Sequence, residues 1–142
     1  MNTAFFLKPK SEVVFLYDDM PLAQALDAMR SKGYASVPVI DREGRYLNTV
    51  SEGDFLAALA QTDGEHLRML SAQEAEGKKL SSILRDDRNP PSHIGDPVEA
   101  LLTRTAAQNF VPIVDDRGVF IGIVTRRAVI HYFLREFSAC AR

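Results

Sequence analysis

The stretches YASVPVIDREGRYLNTVS (residues 34–51) and NFVPIVDDRGVFIGIVT (residues 109–125) decide the fold, because they are two copies of one pattern. When Pro38 is aligned with Pro112, further positions match in the same register. The matched pairs are Val37 with Val111, Asp41 with Asp115, Gly44 with Gly118, Val50 with Val124, and Ser51 with Thr125. This agreement indicates an internal duplication, and a long period that occurs only twice differs from a solenoid repeat.

Each copy predicts a β-hairpin with a helix on either side. The apolar runs SVPVI and FVPIV are followed by a turn that contains Asp and Gly, and then by a second apolar run. A helix is expected to begin after Asp19 and Pro21 in the first copy and after Asp96 and Pro97 in the second, with the acid as its cap. Apolar residues at helical spacing predict another helix after each hairpin.

A short strand is expected before each copy, over Glu12–Tyr17 and at about Ser92–Ile94. The predicted fold is therefore α/β (α+β), with two β-α-β-β-α units that pack about a pseudo-two-fold axis. The units are expected to span residues 1–72 and 73–142. Residues 61–80 are read as a polar connection with helical character between them.

Composition and charge restrict the class of protein. The chain has 142 residues, of which 46% are hydrophobic and 25% charged, as in an ordinary globular domain. Its formal net charge of -2 offers no general basic field for DNA, RNA or an anionic membrane. The only cysteine, Cys140, has no partner in the chain, and no leader or anchor is seen, so a cytoplasmic location is expected.

The sequence contains no pattern that predicts catalysis. His66, His93 and His131 lack a second ligand at metal spacing, and neither a Gly-x-x-x-x-Gly-Lys loop nor a nucleophile elbow is present. We therefore expect a protein that is not an enzyme and that needs neither a metal nor a resident cofactor.

The segments TVSEGDF and GIVTRRAV, in which a hydroxyl residue stands between the hairpin and the next helix, resemble the CBS-domain pair, or Bateman module. The resemblance covers nearly the whole chain. It implies a cleft for the adenosine part of a ligand such as AMP, ATP or S-adenosylmethionine. The second copy is most similar to the small stand-alone members that bind cyclic di-AMP, the cyclic-di-AMP-binding protein B type.

The two copies differ in the residues that would face a ligand. In the second copy, Thr125 can cap a helix whose free N–H groups favour an anion, and Arg126 and Arg127 can bind a phosphate. In the first copy, Ser51 and Asp54 can cap the helix and read the two hydroxyls of a free ribose, respectively. An acid and a glycine replace the arginines there, whereas Ala128 replaces the aspartate in the second copy.

These differences favour cyclic di-AMP at the second copy, since its 3′ oxygen is tied up in a phosphodiester. AMP or ATP at either copy is the alternative, and a protein-interaction module without a ligand is a further one. The residues expected to bind nucleotide are Val13, Val14, Tyr34, Ala35, Val37, Ser51, Asp54, Asn109, Phe110, Val111, Pro112, Thr125, Arg126 and Arg127. For Val37 and Val111 a place in the core is the stronger expectation.

The last predicted helix is more apolar than a lone surface helix needs to be. Ile130, Phe133, Leu134 and Phe137 form one stripe along it. We expect this stripe to pack between the units or across a homodimer. Binding of a nucleotide would then change how the protein meets a regulated partner protein.

Overall fold

The computed structural model of the chain describes residues 3–85 and 89–140. These residues form two compact units. The first unit comprises the described residues from Val14 to Arg85. The second comprises the described residues up to Val13 together with those from Asn89 onwards. The boundaries of the compact units therefore differ from the expected division after residue 72. That division was expected between the duplicated repeats, and in this sense it stays a prediction.

The described residues contain nine strands and five helices, which we number in chain order. The strands are β1 (Lys8–Pro9), β2 (Leu16–Tyr17), β3 (Ser36–Ile40), β4 (Tyr46–Ser51), β5 (Ala60–Asp63), β6 (His66–Met69), β7 (Ser92–His93), β8 (Phe110–Val114) and β9 (Phe120–Thr125). The helices are α1 (Leu22–Lys32), α2 (Glu52–Leu59), α3 (Ala72–Glu76), α4 (Val98–Ala107) and α5 (Arg126–Cys140).

The first unit is built on the three-stranded sheet β2-β3-β4. β2 is parallel to β3, and β3 is antiparallel to β4. Apolar side chains of α1, of the sheet and of α2 form its core, including Leu22, Met29, Val37, Val50 and Phe55. Burial of these side chains supplies the main driving force for folding.

The second unit repeats this arrangement and adds one strand. Its sheet has the order β1-β9-β8-β7, with β7 parallel to β8 and β1 antiparallel to β9. Its core includes Phe6, Leu101, Val111, Ile113 and Val124. The added strand β1 comes from the beginning of the chain.

The expected β-α-β-β-α order is confirmed in both units. The hairpins have the same register, since Ser36 pairs with Ser51 in one and Phe110 with Thr125 in the other. Each hairpin also carries an irregularity at the same place, between Val39 and Ile40 and between Ile113 and Val114. The duplication seen in the sequence is therefore a duplication of structure.

The turns of the two hairpins are held in the same way. Asp41 Oδ1 accepts hydrogen bonds of 2.9 Å from the backbone N–H groups of Glu43 and Arg45. Asp115 Oδ1 accepts equivalent bonds of 2.9 Å from Arg117 and Val119. The Asp in each sequence pattern is thus a turn residue that satisfies the backbone.

The expected acid caps of α1 and α4 are wrong. The residues at the N-cap positions are Pro21 and Pro97, and neither cap makes a side-chain hydrogen bond. Asp19 instead accepts hydrogen bonds of 3.0 and 2.8 Å from Arg42. Asp96 accepts a 2.9 Å bond from the His93 N–H. The sequence pattern located both helices correctly, but the two carboxylates accept hydrogen bonds from groups other than the helix N–H groups.

Two further expectations need correction. The opening strand of the first unit is only β2, because Lys10–Glu12 form a 3₁₀ turn. The connection over residues 61–80 contains the antiparallel hairpin β5-β6 before the short α3. The dipeptide at Asp63 and Gly64 is a hairpin signal, and Gly64 adopts a φ of 64° at the turn.

No helix within the described residues is both long and apolar enough to span a membrane.

Candidate functional site

The first turn of α5 is the centre of the expected site in the second unit. Thr125 is the last residue of β9, and its Oγ1 accepts a 3.1 Å hydrogen bond from the Ala128 N–H. The predicted hydroxyl cap is therefore present. The Asn109 carbonyl accepts the Arg126 N–H, so among the described residues the Arg127 N–H is the first-turn group left to attract an anion.

Arg126 has a structural task that the sequence did not reveal. Its Nε donates a 2.8 Å hydrogen bond to the backbone carbonyl of Thr105, and a second guanidinium nitrogen lies 3.4 Å from the carbonyl of Ala106. Both carbonyls belong to the last turn of α4, where helix carbonyls lack partners within the helix. Arg126 thus ties the end of α4 to the start of α5.

Arg127 points its guanidinium toward solvent. The residue is exposed, and its Nε lies 3.5 Å from His131 Nε2, one helical turn further along. A contact at this distance is weak. Of the two arginines, Arg127 is the one that can pair with a phosphate without giving up another strong bond.

The beginning of β8 lies beside this helix start. Phe110 pairs with Thr125 across the hairpin, and the Asn109 carbonyl accepts a 2.9 Å bond from the Arg126 N–H. Asn109 is exposed and Phe110 half-buried, so both can contact a ligand. Val111 and Pro112 are buried in the unit. The structure therefore brings Asn109, Phe110, Thr125 and Arg127 to one end of the hairpin.

The corresponding place in the first unit is closed by its own residues. Ser51 Oγ accepts a 3.2 Å bond from the Asp54 N–H, and Asp54 Oδ2 accepts a 2.9 Å bond from the Ser51 N–H. The Asp54 side chain is only 4% exposed, and its Oδ1 lies 3.5 Å from Arg85 Nε. The carboxylate expected to read a ribose is thus part of a capping box and of an ion pair.

Asp54 nevertheless borders a pocket of about 330 Å³ in the first unit. Lys78, Ser82 and Arg85 line it as well. Sequence reasoning missed these residues, because they lie more than twenty positions from Asp54 and carry no spacing signal. They make the surroundings of Asp54 cationic.

The remaining predicted site residues are spread over both units. Tyr34 and Ala35 are exposed between α1 and β3, and Val37 is buried in the core of the first unit. Val13 and Val14 are half-buried, but Val13 belongs to the second unit and Val14 to the first. A role for these five residues in binding stays a prediction.

Gly122 is a further position at which the two units differ. A Cβ on this residue would collide with the backbone oxygen of Lys8, because β1 lies directly against β9. Its φ of 157° also disfavours other residues. In the first unit Asn48 stands at the matching place, is buried, and accepts a 2.8 Å bond from the Thr49 N–H through Oδ1.

The described residues contain no group of three or more His, Cys, Asp or Glu side chains that could hold a metal ion.

Comparison with protein families shows a match to the model of the CBS domain over residues 7–61 and 93–135. The matched segments include both hairpins, the helices α1, α2 and α4, and the first part of α5. They cover more than half of the chain.

Comparison with solved structures shows the same fold. The CbpB protein of Listeria monocytogenes in complex with c-di-AMP has a TM-score of 0.82 and 24% identity, over 96% of this chain and 97% of that one. A hypothetical conserved protein from Geobacillus kaustophilus has a TM-score of 0.83 and 23% identity, over 96% and 98%. CBSX2 in complex with AMP has a TM-score of 0.70 and 22% identity, over 94% and 96%.

Proposed function

Because this chain belongs to the CBS-domain family, we propose that it is a non-catalytic regulatory module that binds an adenine nucleotide and acts through a partner protein. The observation that carries this proposal is made at the start of α5. The helix is capped there by the Thr125 hydroxyl, and the exposed guanidinium of Arg127 lies in the same turn. The single cysteine of the sequence agrees with a reducing, cytoplasmic setting.

Cyclic di-AMP is the ligand that we propose for the second unit. Its phosphodiester would lie at the first turn of α5, where the Arg127 guanidinium and backbone N–H and the positive end of the helix dipole attract negative charge. No acid stands at Ala128 to repel it. Phe110 and Asn109 would contact the base from the neighbouring strand. The bound c-di-AMP in the Listeria CbpB structure supports this choice.

AMP is the alternative ligand, supported by the AMP bound to CBSX2. A free ribose would call for the carboxylate of Asp54. That carboxylate already accepts a bond from the Ser51 N–H and pairs with Arg85, so AMP would have to replace existing contacts. This makes AMP the weaker of the two candidates.

We also propose that the chain forms a homodimer through α5. Ile130, Leu134 and Phe137 repeat at helical spacing and are 49%, 56% and 66% exposed in the single chain. Such an exposed apolar stripe favours association with a second copy of the chain. Phe133, the remaining residue of the predicted stripe, is instead half-buried against the core of its own unit. Replacing Leu134 with Glu should shift the mass measured by light scattering from dimer to monomer, whereas an unchanged mass would contradict this interface.

The binding proposal is tested by calorimetric titration of the full chain with cyclic di-AMP and with AMP. Arg127→Ala should weaken cyclic di-AMP binding by about tenfold or more, since a charge-assisted contact contributes about 1.5–3 kcal/mol. Glu52→Ala, which changes an exposed charged residue at the equivalent helix start of the first unit, is the control and should leave the affinity unchanged. Tight AMP binding without a response to cyclic di-AMP would reverse the choice of ligand, and an unaltered affinity of Arg127→Ala would remove the phosphate site.

A further inference from the structure

The first unit contains a second pocket that the proposed nucleotide site does not use. It has a volume of about 340 Å³ and lies among α1, the end of α2 and the segment that leads into α3. Pockets that hold small molecules have volumes of roughly 300–1,000 Å³. The walls are mainly leucine and alanine side chains, among them Leu26, Leu59, Leu70 and Ala75.

The walls of this pocket are fixed by backbone contacts at both ends of the β5-β6-α3 segment. The Leu70 N–H donates a 2.8 Å bond to the Leu59 carbonyl, which closes the base of the hairpin. The Leu22 N–H donates a 2.8 Å bond to the Lys78 carbonyl, which holds the end of the segment against the start of α1. The pocket is therefore a built feature rather than a gap beside a loose loop.

An ion pair between side chains holds the hairpin β5-β6 against α3. Two nitrogens of Arg68 on β6 lie 2.9 Å from the two carboxylate oxygens of Glu74 on α3. Glu74 also belongs to the capping box of Ser71, which lines the pocket. The hairpin and α3 thus support each other, although neither is large enough to form a core alone.

Two opposite charges stand at the pocket. Asp27 and Arg30 line it from α1 and are exposed. Neither side chain makes a hydrogen bond or an ion pair with any residue in 3–85 or 89–140. Residues three apart lie on the same helix face, so both side chains stand on the face of α1 that borders the pocket.

From these features we infer that the pocket binds a free apolar α-amino acid. The α-carboxylate would pair with Arg30 and the α-ammonium with Asp27, while the apolar side chain would replace water among Leu26, Leu59 and Leu70. A zwitterion with an apolar body matches the lining, whereas a purely apolar molecule leaves both charges unused. In the described part of the second unit, α5 continues where the first unit has β5, β6 and α3, so the elements that form this wall of the pocket are not repeated there.

The inference is tested by calorimetry on the full chain with leucine, methionine and phenylalanine at millimolar concentrations. Isoamylamine and 4-methylpentanoate, which lack one charge of leucine, should bind about tenfold more weakly than leucine. Arg30→Gln should lower the affinity for leucine by a similar factor. Lys32→Gln, which removes an exposed charge from the same helix outside the pocket, is the control and should bind as the original chain does.

A second variant guards against a change that merely perturbs the fold. Ala72→Leu adds a large side chain to the pocket at an exposed position and should abolish leucine binding while the melting temperature stays within a few degrees. Absence of leucine, methionine and phenylalanine binding, or equal binding by the Arg30→Gln chain, would overturn the inference. Cyclic di-AMP titrations of the same variants report on the nucleotide proposal separately.

Discussion

The first turns of α2 and α5 occupy the same place in the two repeats, but their side chains make different contacts. In α2 the Ser51 and Asp54 side chains turn onto each other's backbone, and the acid is buried. In α5 only the Thr125 hydroxyl caps the helix, and Arg127 faces solvent. The shared hydroxyl therefore starts the helix, whereas the residues that follow it determine whether the helix end is closed or open to an anion.

The edges of the two sheets differ in the same sense. Gly122 lets β1 lie against β9, so the second unit has four strands. Asn48 fills the matching place in the first unit, whose sheet has three. An unpaired strand edge is a site for association. Gly122 lets β1 cover the edge of β9, and this edge is therefore paired in the second unit.

The largest effect is expected from Gly122→Ala. The new Cβ would meet the Lys8 oxygen and the Leu7 side chain, so either β1 detaches or the strand is strained. We expect the free energy of unfolding to fall by about 3 kcal/mol, from overpacking together with an unfavourable φ. Urea denaturation measures the loss, and hydrogen exchange should become faster at Ile123 and neighbouring β9 amides.

Gly53→Ala, the same substitution at a glycine of the first unit that no other strand approaches, is the control. A Cβ there meets only the Ser51 Oγ at 3.6 Å, which is an ordinary contact, and the residue lies in α2. Alanine should be neutral or stabilising by about 0.5–1 kcal/mol. Similar losses in both variants would contradict the view that Gly122 exists to admit β1.

A middle-sized effect is expected from Arg126→Ala. This change leaves the carbonyls of Thr105 and Ala106 without the guanidinium, and should lower stability by about 1–2 kcal/mol. Glu52→Ala, its exposed counterpart, should stay within about 0.5 kcal/mol of the original chain. Thermal unfolding of both variants measures the difference. If Arg126→Ala altered only nucleotide affinity, both arginines would be phosphate ligands.

The sequence predicted the fold well where the signal was local and repeated. The hairpins, their Asp turns and the order of elements follow from short patterns that occur twice, and the Thr125 cap follows from its place between a strand and a helix. The hairpin β5-β6 was missed because it occurs once and its polar residues suggested a helix, although the Asp63-Gly64 dipeptide marked the turn.

The candidate site was less predictable, because its details depend on contacts between distant residues. Arg126 meets carbonyls about twenty positions earlier, and Arg85 meets Asp54 about thirty positions earlier. Local sequence shows neither partner. It therefore indicated which residues are chemically suited to a nucleotide, but it did not distinguish Arg127, which is available, from Arg126, which is already engaged.

The smallest effect is expected at the Asp residues of the two hairpin turns, which make the same contacts in both repeats. Asp115 accepts backbone bonds from Val119 and Arg117, and these bonds lower its pKa below the usual value of 3.8. A carboxylate whose pKa is lower in the folded chain stabilises the fold above its unfolded pKa, and this stabilisation is lost as the pH falls through the folded pKa.

Asp115→Asn should therefore lower the melting temperature slightly at neutral pH and make it less sensitive to acid between neutral pH and about pH 3. Asp41→Asn makes the same change in the other hairpin: the amide Oδ1 can still accept the two backbone bonds, but it carries no negative charge, so the cost at neutral pH should be similar. Melting curves at several pH values measure both variants. A clearly larger loss at one turn would show that the two hairpins, despite their common register, do not support their units equally.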